Sequence, residues 1–431
     1  MRSNGLIVRP FTNPEQRDWA AVDEAIDRLS PRAFGFLEEL VRQPSTVGSE
    51  SGAQSVMAAE LERLGFTVER QPIPDDVGDL KGAGVPRAPY GGRHNVIGQR
   101  GQGPRSLIIN GHIDVVPAET PELWTSPPFE PQVRDGLMYG RGTGDMKCGF
   151  AMLSLALGAM REAGLQTGGR LTVVSAIEEE CTGNGTLASI DAGLIADAAL
   201  LVEPTSLDIL LGGIGIVWFE LLITGRSAHA ESADRAVNPI DVAMRLMSSL
   251  RGFEAELNAN GRDPLLPEAE HPYNLNIGRM DAGDWQSSVP ATARIGLRLG
   301  FPRAWTVDEA EDRVRQAVAE AARADDWLRD TPPQVRFNGF RAHGHVADEA
   351  SELVRCLTQA HADAHGTPAV GKLMATTTDA RSYLAAGIPA VCYGPVAHNI
   401  HGVDEAVELD SIVEGARTLT RFLATWFEGA S

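Results

Sequence analysis

The chain has 431 residues, of which 43% are hydrophobic and 22% are charged. Its formal net charge of −20, from 58 acidic against 38 basic residues, argues against broad nucleic-acid binding, because such surfaces need clustered Lys and Arg. No apolar run approaches the roughly 20 residues that span a bilayer. The length is too great for one simple core, so we expect two domains.

The N-terminal stretch MRSNGLIVRPFTNPEQ has no long apolar core and no small-residue cleavage site. We therefore expect no secretory signal and a cytoplasmic protein. No pair of cysteines has the spacing of a zinc knuckle or a redox motif. We expect free thiols in a reducing compartment, at Cys148, Cys181, Cys356 and Cys392.

The first half of the chain alternates predicted helices with short apolar strands. Helical apolar spacing occurs over residues 36–43, 55–65 and 150–164. Runs of buried-strand type occur over residues 106–110, 171–177 and 198–203. This alternation predicts an α/β fold, with a mostly parallel sheet and helices on both of its faces.

A different pattern begins near residue 214. Two amphipathic helices and four strands follow in the order βαββαβ, which is that of a ferredoxin-like α+β unit. After about residue 341 the α/β pattern returns, with a helix and the buried strand PAVCY. We expect a discontinuous catalytic domain of residues 1–213 and 342–431, into which a smaller domain of residues 214–341 is inserted.

Acidic residues and histidines stand where the predicted strands of the larger domain end. His112 follows the first of these strands, Glu178–Glu180 follow the second, and Glu203 ends the third. His401 lies a few residues past PAVCY, and Asp145 lies in the Gly-rich turn GRGTGDMKCG. Functional groups of an open α/β sheet gather at the carboxyl ends of its strands, so we expect these side chains to converge.

The residue types suggest a metal centre. Two imidazoles and several carboxylates, without a thiolate, suit Zn²⁺, Co²⁺ or Mn²⁺. Such a set is enough for two metals about 3.5–4 Å apart that share one carboxylate. Taken alone, a histidine is often a loop residue and an acidic triplet a solvated face, but this triplet directly follows a buried strand. His112 would bind a metal through one ring nitrogen, while Asp114 accepts a hydrogen bond from the other.

Seven motifs together resemble those of the two-metal aminoacylase/carboxypeptidase metallopeptidase family, which includes acetylornithine deacetylase, succinyl-diaminopimelate desuccinylase and carboxypeptidase G. In chain order they are GHIDVVP, GRGTGDMKCG, EEECTGNG, LLVEPTS, TGRSAHAE, TTTDAR and HNIHGVDE. The resemblance extends from about Arg32 to the end of the chain. It implies a phosphorylase/hydrolase-like catalytic domain, an inserted lid and dimerisation domain, and a homodimer formed through that inserted domain.

The resemblance also implies the metal ligands. His112 and Glu203 would hold one metal ion, Glu180 and His401 the other, and Asp145 would bridge the two. The peptide bond after the bridging aspartate is typically cis in this family. The expected cofactors are therefore two divalent ions, with Zn²⁺ ahead of Co²⁺ or Mn²⁺.

Further roles follow from the same resemblance. Glu179 would be the general base, and the family usually has Asp where this chain has Glu178. His229 matches a histidine that reaches the active site of the partner subunit, although by itself it would be read as a loop histidine. Arg298 and Arg381 are candidates for binding a substrate carboxylate, although either could be a surface arginine.

The implied function is hydrolysis of the amide bond of an N-acyl amino acid or a related small molecule, as in acetylornithine deacetylase. The alternatives are a dipeptidase or carboxypeptidase, an N-formyl or aromatic-amine C–N hydrolase of the same family, and a homologue that binds ligands without catalysis. The expected partner is a small N-acyl substrate, with no nucleic acid and no membrane. The sequence does not reveal the acyl group or the amine.

Overall fold

The computed structural model describes residues 18–165, 168–260, 263–266 and 270–428. Its α-helices are α1 (Trp19–Val41), α2 (Ser51–Arg63), α3 (Cys148–Glu162), α4 (Asn184–Asp191), α5 (Pro239–Asn260), α6 (Val307–Ala324), α7 (Glu352–His365), α8 (Ala380–Ala385) and α9 (Leu409–Trp426). Within the described ranges no helix combines the length and apolar character needed to cross a membrane. The N-terminal stretch for which no secretory signal is predicted lies outside the described residues.

The strands of the described residues, in chain order, are β1 (Thr67–Pro72), β2 (His94–Arg100), β3 (Ser106–His112), β4 (Gln132–Arg134), β5 (Leu137–Tyr139), β6 (Arg170–Ala176), β7 (Ala199–Leu201), β8 (Ile209–Gly213), β9 (Gly215–Thr224), β10 (Ala228–His229), β11 (Leu275–Ala282), β12 (Ser288–Val289), β13 (Thr292–Phe301), β14 (Gln334–Ala342), β15 (His345–Val346), β16 (Gly371–Met374), β17 (Ala390–Cys392), β18 (Ala397–His398) and β19 (Ala406–Glu408).

One large sheet has the strand order β1-β2-β6-β3-β7-β17-β8-β15, and β16 also pairs with β8. Its centre is parallel, because β3 runs parallel to both β6 and β7, and β7 runs parallel to β17. The antiparallel pairs β1–β2, β2–β6 and β8–β15 lie toward the edges. The predicted α/β architecture with a mostly parallel sheet is confirmed.

Alternate residues of β3 belong to hydrophobic cores on opposite faces of this sheet. Leu107 and Ile109 pack in a large cluster with residues of α1, α3 and α9, whereas Ile108 packs in a smaller cluster that includes Tyr383 of α8. A strand that is buried on both faces needs apolar side chains at successive positions. That requirement explains the uninterrupted apolar run in this strand.

The register of the central strands places three polar segments side by side. His112 lies opposite Ala176 of β6, and Asn110 lies opposite Leu201 of β7. The acidic triplet begins two residues after the end of β6, and Glu203 likewise lies two residues after the end of β7. The polar residues at or just after the ends of these three strands therefore lie at the same edge of the sheet.

A second sheet, antiparallel and four-stranded, has the order β11-β13-β9-β14 and comes from residues 215–342. It has its own apolar core, to which residues of α5 and α6 contribute. Apart from the short strands β10 and β12, its elements follow the expected βαββαβ order. The boundaries 1–213, 214–341 and 342–431, and the lid and dimerisation role, remain predictions.

Helix α3 approaches the segment after β7 so closely that only glycine fits at position 149, where a Cβ would lie 1.8 Å from the backbone oxygen of Val202. We expect Gly149→Ala to lower the free energy of unfolding by about 3 kcal/mol, because the helix must shift. Gly158 in the same helix is the matched control, since a Cβ there would lie 3.5 Å from Leu29. Gly158→Ala should stabilise by about 0.5–1 kcal/mol. Denaturant unfolding measures both changes, and equal effects would contradict this packing.

Candidate metal centre

The first group of candidate ligands contains His112, Asp145 and Glu203. His112 is the last residue of β3 and is only 1% exposed. Its Nε2 lies 3.0 Å from Asp145 Oδ1 and 3.9 Å from Glu203 Oε2. One potential ligand atom from each residue lies within 4.8 Å of the others, so a single metal ion can reach all three.

The second group contains Asp145, Glu180 and His401. His401 Nε2 lies 3.0 Å from Glu180 Oε2 and 3.4 Å from Asp145 Oδ2. Asp145 thus turns one carboxylate oxygen toward His112 and the other toward His401. The structure brings together all the side chains that the sequence proposed as ligands, in the two groups that the resemblance implied.

The Asp145 turn is held by a residue that the sequence analysis did not single out. Asp145 lies in the segment Thr143–Lys147 before α3, where its own backbone is not helical, with φ of −116° and ψ of 105°. The peptide bond after it is cis, as the resemblance implied. Glu405 Oε1 accepts hydrogen bonds from the backbone N–H groups of Gly142, Gly144 and Asp145, at 3.1, 2.8 and 2.9 Å. Its place in the motif HGVDE was the one available signal.

Asp114 differs from the expectation. The Nδ1 atom of His112 lies 2.9 Å from the backbone oxygen of Asp114 but 3.7 Å from its carboxylate. The expected hydrogen bond is therefore made by the backbone carbonyl. The carboxylate instead accepts the backbone N–H groups of Glu179 and Glu180, each at 3.2 Å. The Asp114 carboxylate thus fixes the backbone of the acidic triplet. Burial raises the pKa of Asp114 to about 7.

Glu179 is buried beside the first group. Its Oε2 lies 4.0 Å from His112 Nε2. Burial raises the pKa of Glu179 well above its ordinary value, although the His112 charge opposes this shift. The nearby carboxylates of Asp379, Glu203 and Glu180 raise the pKa further. A buried carboxyl with a raised pKa is suited to exchanging protons.

The electrostatics of the centre fit divalent cations. Burial raises the pKa of Glu203 to about 8, and Glu180 raises the pKa of His401 to about 11. Burial alone would lower the pKa of His112, but Glu203 and Asp145 raise it well above its usual value. Burial and the crowding of carboxylates therefore both shift pKa values in the centre. Metal ions would supply the missing charge, and imidazole and carboxylate donors suit them.

Glu178 anchors the triplet rather than facing the candidate ligands. Its carboxylate accepts hydrogen bonds from Tyr90 Oη at 2.7 Å, Arg93 Nη1 at 2.5 Å and Thr182 Oγ1 at 2.9 Å. Its backbone is left-handed, with φ of 63°. These contacts give a physical reason for a longer side chain where the family usually has Asp, because it reaches two residues of the loop before β2.

Arg381 is buried beside the centre, with 2% of its surface exposed. Its Nη1 donates to the backbone oxygen of Thr378 at 2.9 Å, and its Nη2 donates to that of Thr182 at 3.1 Å. Nη2 also lies 3.6 Å from Asp379 Oδ1. These contacts favour a structural role, so a contact with substrate remains only a prediction.

Arg298 and His229 lie on the smaller unit. Arg298, in β13, donates from Nη1 to Asn274 Oδ1 at 2.7 Å. His229, in β10, is exposed, and its Nδ1 accepts the backbone N–H of Glu231 at 3.1 Å. Neither of these contacts reaches the candidate ligands of the same chain, so the predicted roles of both residues stay predictions.

Comparison with known families matches residues 108–425 to peptidase family M20/M25/M40. The chain belongs to peptidase family M20/M25/M40. One relative with a similar sequence is the N-formyl-4-amino-5-aminomethyl-2-methylpyrimidine deformylase of Bacillus subtilis (strain 168). It is 27% identical to this M20 chain over 437 residues. That alignment covers 94% of this chain and 98% of the relative.

A second relative is the succinyl-diaminopimelate desuccinylase of Methylorubrum extorquens, which is 30% identical over 415 residues. It aligns with 92% of this chain, over 99% of its own length. Both similarities extend over nearly the whole chain. This M20 family member is therefore a hydrolase of amide C–N bonds.

Solved structures of the family share the fold. The dipeptidase Dug1p of Saccharomyces cerevisiae superposes with a TM-score of 0.79 at 16% identity, and covers 96% of this chain and 99% of its own. The Bacillus subtilis YXEP protein, described as a dinuclear metal-binding M20 peptidase, has a TM-score of 0.55 at 16% identity, covering 93% and 99%. At these identities the likeness is one of architecture alone.

Arg381 offers a test of its structural role. Arg381→Met should lower the free energy of unfolding by about 3–5 kcal/mol, because two buried carbonyls and Asp379 lose their cationic partner. Arg298→Met, which removes an arginine hydrogen-bonded to a neutral amide, should change it by less than about 1 kcal/mol. Denaturant unfolding without substrate measures both. A stable Arg381→Met protein that has merely lost substrate affinity would contradict the structural role.

Proposed function

We propose that the chain hydrolyses the amide bond of a small N-acyl amino acid or a related N-acyl compound, with the help of two divalent metal ions. The observation that carries this proposal is the position of Asp145, whose two carboxylate oxygens face His112 and His401 at 3.0 and 3.4 Å. A carboxylate shared in this way is what a two-metal hydrolase needs.

In this proposal His112 and Glu203 would hold one ion, Glu180 and His401 would hold the other, and Asp145 would contribute to both. Zn²⁺ is the first candidate, because the donors are imidazole nitrogens and carboxylate oxygens, although Co²⁺ and Mn²⁺ accept the same donors. When bound, the ions would polarise the substrate carbonyl and lower the pKa of water.

Glu179 is proposed to move the proton. Its carboxylate takes a proton from water as the oxygen of that water forms a bond to the acyl carbon. The C–N bond then breaks, and Glu179 passes the proton to the departing amine nitrogen. Water is thereby divided between the carboxylic acid and the amine, and Glu179 returns to its starting state. Its burial beside His112 supports this role.

His229 is proposed to act in a homodimer formed through the unit of residues 214–341. Support comes from its exposure and from its place on the short sheet of β10 and β12, where its own chain leaves the ring accessible. There it would donate to the developing oxyanion in the partner subunit. Arg298 is the proposed contact for a substrate carboxylate.

The acyl group is the least determined part of the proposal. Acetylornithine-like substrates are the first candidate, and the deformylase relative supports N-formyl compounds as a second candidate. A role in binding without catalysis is disfavoured by the presence of Glu179.

The free cysteines support a reducing, cytoplasmic location.

A substrate panel tests this proposal. N-acetyl, N-succinyl and N-formyl amino acids, together with dipeptides, are each assayed after loading with Zn²⁺, Co²⁺ or Mn²⁺. Release of free amine from at least one N-acyl compound is the expected result. Hydrolysis of dipeptides alone would move the assignment to the dipeptidase alternative, and no hydrolysis of any amide would refute the function.

Glu179→Gln tests the general base. The amide keeps the shape of the side chain but cannot take a proton, so kcat should fall by about 10²–10⁴-fold while the metal content stays that of the unchanged chain. Glu162→Gln is the control, since Glu162 is exposed on α3 and pairs with Arg28. Near-normal turnover by the Glu179 variant would remove the residue from the mechanism.

Subunit complementation tests His229. His229→Ala should lose at least about 10²-fold in activity with little change in the free energy of unfolding, because one oxyanion donor is commonly worth that much. Mixing it with His112→Ala, which lacks a proposed metal ligand, should restore part of the activity in hybrid dimers. If the mixture is no more active than its components, the histidine does not act across subunits.

A further inference from the structure

A buried ion pair connects the two segments that carry Asp145 and His401. Arg141, which is 3% exposed, pairs through Nη1 with the carboxylate of Glu405. Its Nη2 also donates to the backbone oxygens of His401 and Gly402, at 3.3 and 3.2 Å. One guanidinium therefore ties the strand-to-helix turn to the loop that presents the last candidate ligand.

That loop has an unfavourable backbone conformation. Asn399, His401 and Asp404 are all non-glycine residues in the left-handed region, with φ of 52°, 64° and 55°. Such residues are stable only where surrounding contacts impose the conformation. Arg141 supplies some of these contacts, and Thr125 supplies others, since its N–H and Oγ1 donate to the Asp404 carboxylate at 2.8 and 2.6 Å.

The opposite end of the ion pair holds the other segment. The Glu405 oxygen that does not pair with Arg141 accepts the N–H of Asp145 and those of two preceding glycines. Four donors thus converge on one buried carboxylate, three from the Asp145 turn and one from Arg141. Removal of either partner would leave the other charge buried and unpaired, which is costly.

The two groups of candidate ligands do not depend on this pair equally. His112 ends β3 and Glu203 follows β7, so the hydrogen bonds of the sheet position both. His401 instead stands on the loop, and 49% of its side chain is exposed. One of the two Arg141 contacts to the loop carbonyls is made to the backbone oxygen of His401 itself.

We infer that Arg141 and Glu405 are positioning residues for the proposed metal centre, and that Arg141 sets the affinity of the ion position formed by Asp145, Glu180 and His401. The inference rests on the proposed two-metal function. Loss of the guanidinium frees the His401 loop to relax, whereas the position formed by His112 and Glu203 keeps its support from the sheet.

The test compares Arg141→Met with Arg421→Met. Arg421 is a matched control, because it is 6% exposed and pairs with Asp23 at 3.0 and 2.8 Å, on helices α9 and α1. The metal-free chains are titrated with Zn²⁺ against a chelating indicator, which reports the number of ions and the affinity of each. Arg141→Met should bind one ion as the unchanged chain does, and the second about 10–100-fold more weakly. Arg421→Met should bind both normally.

Two conservative variants separate positioning from folding. Arg141→Lys keeps a positive charge near Glu405 and should recover part of the lost affinity. Glu405→Gln keeps an oxygen for the backbone N–H groups but not the charge that faces Arg141, so it should weaken the second ion as well. Circular dichroism establishes which variants fold, and these two carry the test if Arg141→Met does not.

Each outcome decides a different claim. Native affinity for both ions in the folded Arg141 and Glu405 variants would overturn the inference and leave the proposed function intact. Equal weakening of both ions would overturn the selectivity assigned to Arg141. An unchanged chain that takes up fewer than two ions would overturn the proposed function, and this inference with it.

Discussion

The centre is governed by the repulsion among carboxylates that share a site from which water is largely excluded. Carboxylates that lie this close together cannot all stay ionised unless positively charged groups or ions lie among them. The basic side chains nearest to the Asp145 turn are already engaged, Arg141 with Glu405 and Lys147 with the backbone oxygens of Leu40 and Gln43. Divalent cations are the charge carriers that best relieve this repulsion.

The candidate ligands repel one another, and contacts from distant parts of the chain hold them in place. The parallel centre of the sheet aligns the ends of β3, β6 and β7. The carboxylate of Asp114 then fixes the backbone of Glu179 and Glu180, and Glu405 fixes that of Asp145. These supporting carboxylates accept backbone N–H groups, so they hold the geometry without occupying the positions that face the candidate ions.

Much of this arrangement could be predicted from the sequence. Apolar runs that end in His112, Glu178 or Glu203 reveal strand ends, and the parallel sheet implies that such ends meet. Asp145 and His401 stand in loops whose positions periodicity does not fix. Their assignment depended on the order of the family motifs, and the structure places both as that order implied.

The remaining contacts were hidden because they depend on tertiary packing. Glu405 and Arg141 lie 264 residues apart, and no spacing rule connects them. Arg381 is a candidate for binding a substrate carboxylate, and no sequence pattern indicates its hydrogen bonds to two backbone carbonyls. Its burial against Thr182 and Thr378 is a property of the folded chain alone. The same holds for Asp114, whose backbone oxygen contacts His112 Nδ1 in place of the carboxylate, while the carboxylate accepts the backbone N–H groups of Glu179 and Glu180.

Anomalous scattering from crystals of the Zn²⁺-loaded protein, recorded at the zinc absorption edge, tests the central claim most directly. Two peaks about 3.5–4 Å apart are predicted, one beside His112 and Glu203 and the other beside Glu180 and His401, with Asp145 between them. Absence of both peaks, or zinc bound elsewhere while these side chains pair only with one another, would contradict the account.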